Sequence, residues 1–334
     1  MSESRPPDLS FVVIGYNEGK HIRDCLESAR SIAIPGAMTE VIYVDGGSHD
    51  KSIDEARLVE GVVILGGEKR RRAAQNRNLG AEHATGKYIQ FIDGDMYLDA
   101  DWPARAMRFL EEHPDIGAVA GTLEEANTSF VFRVMQIDWN PVEGESDVLG
   151  GAAMYRRDLF DQAGGFPEDV STGEDPLLCW RIRNVTGHKV WYLRTRMAKH
   201  DLGFRGLRDY WKRCTTTGRA YIEIASRCWN TKDPMWKPNV IRNFGWALAY
   251  IAVLALASVL VVWIGLIGLM GLMALMGLIL ARVAFNTWRH GHPPLVSLGY
   301  AIHVYAAKVP LAWGQLKWIL RRASQSRVLP LLSL

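Results

Sequence analysis

Over the first 205 residues the chain alternates short apolar runs with stretches in which apolar side chains recur every third or fourth position. The runs at 9–14, 41–44, 62–65, 88–92, 117–120 and 150–155 are bounded by Gly and Asp turns and read as strands, several of them apolar enough to be buried on both faces. Between them the spacing predicts helices over 20–31, where Ile22, Cys25, Leu26 and Ala29 share one face, then up to about 60, and over 73–84, 102–113, 157–163 and 176–186. For the last helix the pattern places Pro176 at the first helical position and Asp175 as its cap. A β-α-β-α-β-α-β order predicts an α/β domain with a mixed, mostly parallel sheet of Rossmann-like type.

The pattern then changes. Residues 207–225 place Leu207, Trp211, Cys214, Gly218, Tyr221 and Ala225 on one stripe flanked by Arg208, Lys212, Arg213 and Arg219. Such a basic amphipathic helix lies in a headgroup region or packs on the preceding domain. From Phe244 to Ala281 no charged residue occurs. One span takes about 20 apolar residues, so this run suits a transmembrane helical hairpin, with its turn near Trp263, Ile264 and Gly265. Gly265, Gly268, Gly271, Ala274 and Gly277 recur at threes and allow close helix packing. Arg242 before the hairpin and Arg282 and Arg289 after it put both ends in the cytoplasm. The segment 295–320 carries His303, Lys308, Pro310, Gln315 and Lys317, and a third span would place Arg321, Arg322 and Arg327 outside. An interfacial or re-entrant segment is therefore expected there. The boundaries predicted are 1–205 for the α/β domain, 206–243 for interfacial helices and connector, 244–285 for the hairpin, and 286–334 for a membrane-associated end.

Composition narrows the partners. The 334 residues carry a net charge of only +3, with no nucleic-acid signature. The basic excess sits beside the apolar run, where a membrane surface would use it. The four cysteines are scattered, as reduced thiols in a cytosolic setting would be. The polar N-terminus predicts no cleavable signal peptide.

The candidate chemistry centres on Asp93-Gly94-Asp95, directly after the 88–92 strand. Strand ends of an open α/β sheet face the ligand crevice, and Asp45 ends an earlier strand in the same way. Two carboxylates this close repel unless they share a cation, and an oxygen-only pair suits Mg²⁺ or Mn²⁺ with substrate phosphates. The tripeptide by itself fits a solvated turn equally well. Capping alone explains Asp175, and the basic cluster Lys69 to Arg72 fits a solvated face as readily as a phosphate contact.

Taken together, Val13-Ile14-Gly15-Tyr16-Asn17-Glu18, Val44-Asp45-Gly46-Gly47-Ser48 with Asp50, Arg77-Asn78-x-Gly80, Asp93-Gly94-Asp95, Gly164-Gly165-Phe166 and Gly173-Glu174-Asp175 resemble, in order and spacing, the inverting family-2 glycosyltransferases of GT-A fold. The resemblance runs from about Phe11 to Arg219. It implies that Tyr16, Asn17 and Glu18 line a nucleotide pocket, that Asp45 accepts hydrogen bonds from base or ribose, and that Gly46, Arg77 and Gly94 belong to the donor site. It makes Asp95 the direct ligand of Mn²⁺ or Mg²⁺, with Asp93 facing ribose or sugar, and Asp175, paired with Glu174, the catalytic base. His200 matches a downstream histidine that completes the metal or diphosphate site, although a lone histidine is more often structural.

Processive members carry a Gln-x-x-Arg-Trp motif after the base. Here that region reads Arg208-Asp209-Tyr210-Trp211-Lys212-Arg213-Cys214, so one sugar per event is expected. The implied activity is transfer from a nucleotide sugar, UDP-linked by the resemblance, to a lipid or lipid-linked saccharide hydroxyl in envelope or exopolysaccharide assembly. The expected setting is the cytoplasmic face of a bacterial-type inner membrane. Two alternatives are a polyprenyl-phosphate glycosyltransferase, which needs no base, and a silent nucleotide-sugar-binding scaffold.

Overall fold

A computed structural model describes residues 6–125, 129–139, 141–200, 206–263 and 266–328. The chain divides into two units, Met1–Asn127 with Asn140–Leu202, and Thr128–Trp139 with Gly203–Leu334.

The first unit follows the predicted alternation: β1 (Leu9–Gly15), α1 (Ile22–Arg30), β2 (Thr39–Asp45), α2 (Ser52–Arg57), β3 (Val62–Gly66), α3 (Ala73–His83) and β4 (Tyr88–Asp93). Then come β5 (Met96–Leu98), α4 (Trp102–Glu112) and β6 (Ile116–Glu125). After an excursion into the other unit through α5 (Phe130–Trp139), the chain returns as β7 (Gly144–Glu145), β8 (Met154–Arg156), α6 (Arg157–Gln162), α7 (Glu174–Arg181) and β9 (Lys189–His200). The described strands make one sheet in the order β3-β2-β1-β4-β8-β6-β9-β5, with β7 on β9. β3, β2, β1 and β4 are parallel, as the apolar runs predict, with β1, β2 and β4 largely buried and β3 partly exposed; β8 is antiparallel to β4 and β6. Aromatic packing anchors the second half: Phe91 of β4 meets Tyr155 of β8, Phe160 of α6 and Phe166, whose ring centroid is 5.1 Å away.

Three predictions change. The polar stretch after β6 contains α5, whose Tyr- and His-bonded Asp138 gives it partners that its own sequence does not announce. A 12-residue strand, β9, follows α7. Third, α7 begins at Glu174 with Gly173 as its N-cap, so Pro176 is its third residue and Asp175 caps nothing. A π-helical turn, Ile182–Thr186, extends it.

The second unit is helical: α5, α8 (Leu207–Cys228), α9 (Lys237–Trp263), α10 (Leu266–Arg289), α11 (Pro294–Ala306) and α12 (Lys308–Val328). α8 packs on α12 so closely that a Cβ at Gly218 would strike the Leu311 carbonyl, and one at Gly314 the Thr215 carbonyl. Of the predicted stripe on α8, Cys214, Gly218 and Ala225 are buried, whereas Leu207 and Trp211 are exposed. α9 and α10 form the two apolar helices expected of the hairpin, and the expected turn at 264–265 lies outside the described residues. Among the described residues three helical segments are long and apolar enough to cross a membrane: Lys237–Leu256, Met270–Arg289 and Pro294–Ser324. The third is broken at Ala307 and buries Lys308 and Gln315 within its unit. Asp138 ties α5 to α11, accepting from Tyr300 Oη at 2.6 Å and lying 3.2 Å from His303 Nε2. The other ring nitrogen of His303 is 2.9 Å from Tyr210 Oη of α8.

Candidate active site

The loops after β1 and β2 are stapled to each other. Asn17 takes a left-handed backbone (φ 58°), which its short amide side chain tolerates, and its Oδ1 accepts from His49 N at 2.9 Å. Its own N–H donates to Ser48 Oγ; Glu18 N donates to Ser52 Oγ, and Gly19 N to Asp50 Oδ2. Asp45, expected to meet base or ribose, is fully buried. Its Oδ1 accepts from Gly47 N and Ser48 N, its Oδ2 from Tyr43 Oη and Ser48 Oγ. With three donors from its own loop and one from Tyr43 of β2, Asp45 holds that loop in shape. Gly46 N donates to Gly15 O at 2.8 Å, and the Arg70 guanidinium carbon stands 3.5 Å over the Tyr16 ring.

β4 delivers Asp93, which is still within the strand and not past it. Gly94 is required for space rather than for a left-handed turn: its N–H donates to Ile14 O, and a Cβ would meet Ile14 O, Ile22 and Glu18 at 3.1–3.3 Å. The chain then enters β5, whose Met96 pairs with His200 at the end of β9. That register sets Asp95 beside the histidine, with Oδ2 and Nε2 3.3 Å apart. Asp95 Oδ1 is buried with no hydrogen-bond partner among the described residues. A buried carboxylate oxygen without a donor is costly, and a divalent cation is the group that would satisfy it. Asp95 and His200 therefore fit a metal. Asp93, the third expected ligand, is turned to Arg77 instead, and no cluster of three or more such ligands exists among the described residues. Substrate phosphates would have to complete the coordination.

Arg77, expected in the donor site, is buried on α3 and gathers the acids. Nη2 donates to Asp93 Oδ1 at 2.8 Å, and Nη1 reaches Glu174 Oε1 at 3.4 Å and Asp175 Oδ1 at 3.3 Å. Burial works against its charge, but Asp93, Asp175 and Glu174 outweigh it and hold the guanidinium protonated. Burial pushes the Asp175 carboxyl up to about 7, with Arg77 pulling it down and Glu174 and Asp93 adding to the rise. Burial, then Asp95, Asp50 and Asp93, lift Glu18 to about 7 as well. A carboxylate held near neutrality suits proton abstraction.

Asp175 reaches this place because Gly173 adopts φ 87° and ψ 27°, a left-handed entry that points the first turn of α7 at Arg77. Asn78, next on α3, fastens the preceding turn: Phe166 N donates to its Oδ1, and its Nδ2 donates to Phe166 O and Glu168 Oε1.

A sheet whose strand ends gather these acids beside a stapled double loop is the GT-A glycosyltransferase arrangement. Residues 10–164 match the family described as Glycosyl transferase family 2. A poly-beta-1,6-N-acetyl-D-glucosamine synthase of Staphylococcus epidermidis is 25% identical over 260 residues, 66% of this chain and 62% of its own length. The chain thus spans about three fifths of that relative. A glucosyl-dolichyl phosphate glucuronosyltransferase of Haloferax volcanii is 26% identical over 185 residues, covering 48% of this chain and 58% of its own length. Among solved structures, the mannosyltransferase PcManGT of Pyrobaculum calidifontis, in complex with GDP-Man and Mn²⁺, shares the fold with a TM-score of 0.67 at 20% identity, over 95% of this chain and 88% of its own.

Proposed function

We propose that this protein is a membrane-anchored, inverting glycosyltransferase that moves one sugar from a nucleotide sugar to a lipid or lipid-linked saccharide hydroxyl. The observation that carries this is the convergence of Asp93, Glu174 and Asp175 on Arg77, with Asp175 held near neutrality. Asp175 takes the acceptor hydroxyl proton as that oxygen attacks the anomeric carbon. The bond from that carbon to the nucleoside diphosphate breaks on the opposite face, and the configuration inverts. Tyr16, Asn17, Glu18 and Gly46 line the nucleotide side, with Asp45 holding their loop in shape. Asp95 and His200 would hold Mn²⁺ or Mg²⁺, which when bound supplies counter-charge to the leaving diphosphate.

The solved mannosyltransferase with GDP-Man and Mn²⁺ supports a nucleotide-sugar donor and a metal, and the two curated relatives support a saccharide or lipid-linked acceptor. Membrane anchoring rests on the outward apolar faces of α9 and α10, where Leu248, Ile251, Leu254, Met273 and Leu278 are all exposed. Apolar patches of that extent are unfavourable in water. With the bordering arginines inside, the catalytic unit faces the cytoplasm. Confining enzyme and acceptor to one surface raises their effective concentration.

Thermal melts of the detergent-solubilised full chain, with UDP- and GDP-sugars in the presence of Mn²⁺, test this reading. A donor raises the melting temperature because only the folded chain binds it. No shift from any nucleotide sugar would overturn it.

A further inference from the structure

Three consecutive arginines at the entry to α3 touch two different parts of the catalytic unit. Arg70 lies over Tyr16, and its Nη1 is 3.4 Å from Gly46 O; Arg71 N donates to the same carbonyl at 3.1 Å. Arg72 points the other way. Its Nη1 donates to Val170 O at 2.8 Å and its Nη2 to Glu168 O at 2.7 Å. Its own N–H is fixed by Gln75 Oε1 at 3.0 Å. A planar guanidinium presents two parallel donors, so it can grip two carbonyls of one strand of chain at once, which an ammonium cannot. Glu168 and Val170 belong to the stretch between the Gly164-Gly165 turn and Gly173, which leads directly into Glu174 and Asp175. Within the basic cluster it is Arg72 that contacts that stretch, a role distinct from the solvated face or phosphate contact its sequence suggests.

We propose that Arg72 is a positioning residue that couples occupancy of the pocket at Tyr16 and Gly46 to the placement of Asp175. The proposal rests on the donor site assigned under the proposed function. A nucleotide base or ribose settling at Tyr16 must press on or displace Arg70. Arg70 and Arg71 are held to Gly46, and Arg72 follows directly on Arg71, so that movement is passed to the carbonyls at 168 and 170. Without the double grip, the carbonyls at 168 and 170 lose their tether to the start of α3, and the base shifts its register relative to the donor.

Hydrogen–deuterium exchange of the full-length protein, with UDP or GDP plus Mn²⁺ as the probe, tests the coupling. In the parent chain the nucleotide is expected to slow exchange at 45–48 and 69–72 and also at 166–175. In Arg72→Met the first two responses persist and the third disappears, while Arg72→Lys, with one donor in reach, keeps part of it. With a nucleotide sugar as substrate and water as acceptor, Arg72→Met is expected to lower kcat roughly a hundredfold, the scale of a 1 Å misplacement, with donor KM nearly unchanged. A nucleotide response at 166–175 that survives Arg72→Met overturns the coupling and leaves the donor site standing. Absence of protection at 45–48 in the parent chain with either nucleotide overturns the donor site, and the coupling with it.

Discussion

Arg77 Nη1 stands 3.3 Å from Asp175 Oδ1, and the guanidinium is shared with Asp93 and Glu174 rather than given to Asp175 alone. Burial raises the proton affinity of the base, the shared guanidinium opposes it only in part, and Glu174 and Asp93 add to the rise, which leaves Asp175 near 7. The base is therefore expected to be half-protonated near neutral pH, and kcat/KM to fall about tenfold per pH unit below it. Replacing Arg77 removes the group that lowers Asp175, so Arg77→Gln should move this limb to higher pH. Leaving three acids without their buried counter-charge should also cost about 3–5 kcal/mol of stability. Pre-steady-state rates across pH and denaturant melts check both. An unmoved limb would show that Arg77 does not tune the base.

The same shift has a folding consequence. Asp175 binds its proton more tightly folded than unfolded, where a carboxyl titrates at about 3.9. Its contribution is fully present below that value and is lost as pH rises from there through about 7. Asp175→Asn should flatten the melting temperature across that window relative to the parent. A parent and variant with parallel profiles would contradict the raised value.

At the metal site, the unpartnered Oδ1 of Asp95 and the neighbouring acids predict a trade between stability and function. Asp95→Asn should melt at or above the parent without metal, because a repelling charge is gone. It should lose the additional stabilisation that Mn²⁺ gives in the presence of UDP or GDP. His200→Ala should weaken the Mn²⁺ effect by about 10–100-fold in apparent affinity, the range found when a metal site loses a supporting group. Melting curves with graded Mn²⁺ read both.

How much of this was legible beforehand follows from where the information lies. The parallel strands announce themselves because burial on both faces forces continuous apolar runs, and Asp45 and Asp93 fall at their ends. β9 was missed although Val190, Tyr192 and Leu193 are buried and the lysines at 189 and 199 exposed, an alternation that would have revealed it. Without β9, nothing explained how His200 meets Asp95. Asp175 lies within the first turn of α7 and not at its cap, because Pro176 is tolerated throughout the first turn and does not mark N1 alone. Arg77 could be recognised by motif, but its three acidic partners are 16, 97 and 98 residues away, and no local pattern encodes such a meeting.

In the helical unit, Gly218 and Gly314 face backbone across the α8–α12 contact. Here glycine serves close approach, since a methyl group at either position would overlap a carbonyl of the other helix. Gly218→Ala and Gly314→Ala should each destabilise the unit by about 1–3 kcal/mol, the scale of overpacking. Gly271→Ala and Gly277→Ala on α10, where a Cβ meets nothing within 4 Å, should be close to neutral. Melting temperatures in one detergent rank the four; equal effects would mean the helix contact is not as close as described.

The last prediction decides between acceptors. A hydroxyl must lose its proton as it attacks, so Asp175→Asn should reduce transfer by about 10²–10⁴-fold, the range for removing a general base. A polyprenyl phosphate is already ionised and needs no base, so with that acceptor the variant should retain most of its rate. The position of Asp175 against Arg77, recessed and near neutral, favours the first outcome. Donor binding must be measured in the same variant, since loss of the Arg77 contact could disturb Asp93 as well. Transfer that collapses while nucleotide affinity stays within about threefold assigns the base; collapse of both would mean that Asp175 holds the site together and leaves the proton to another group.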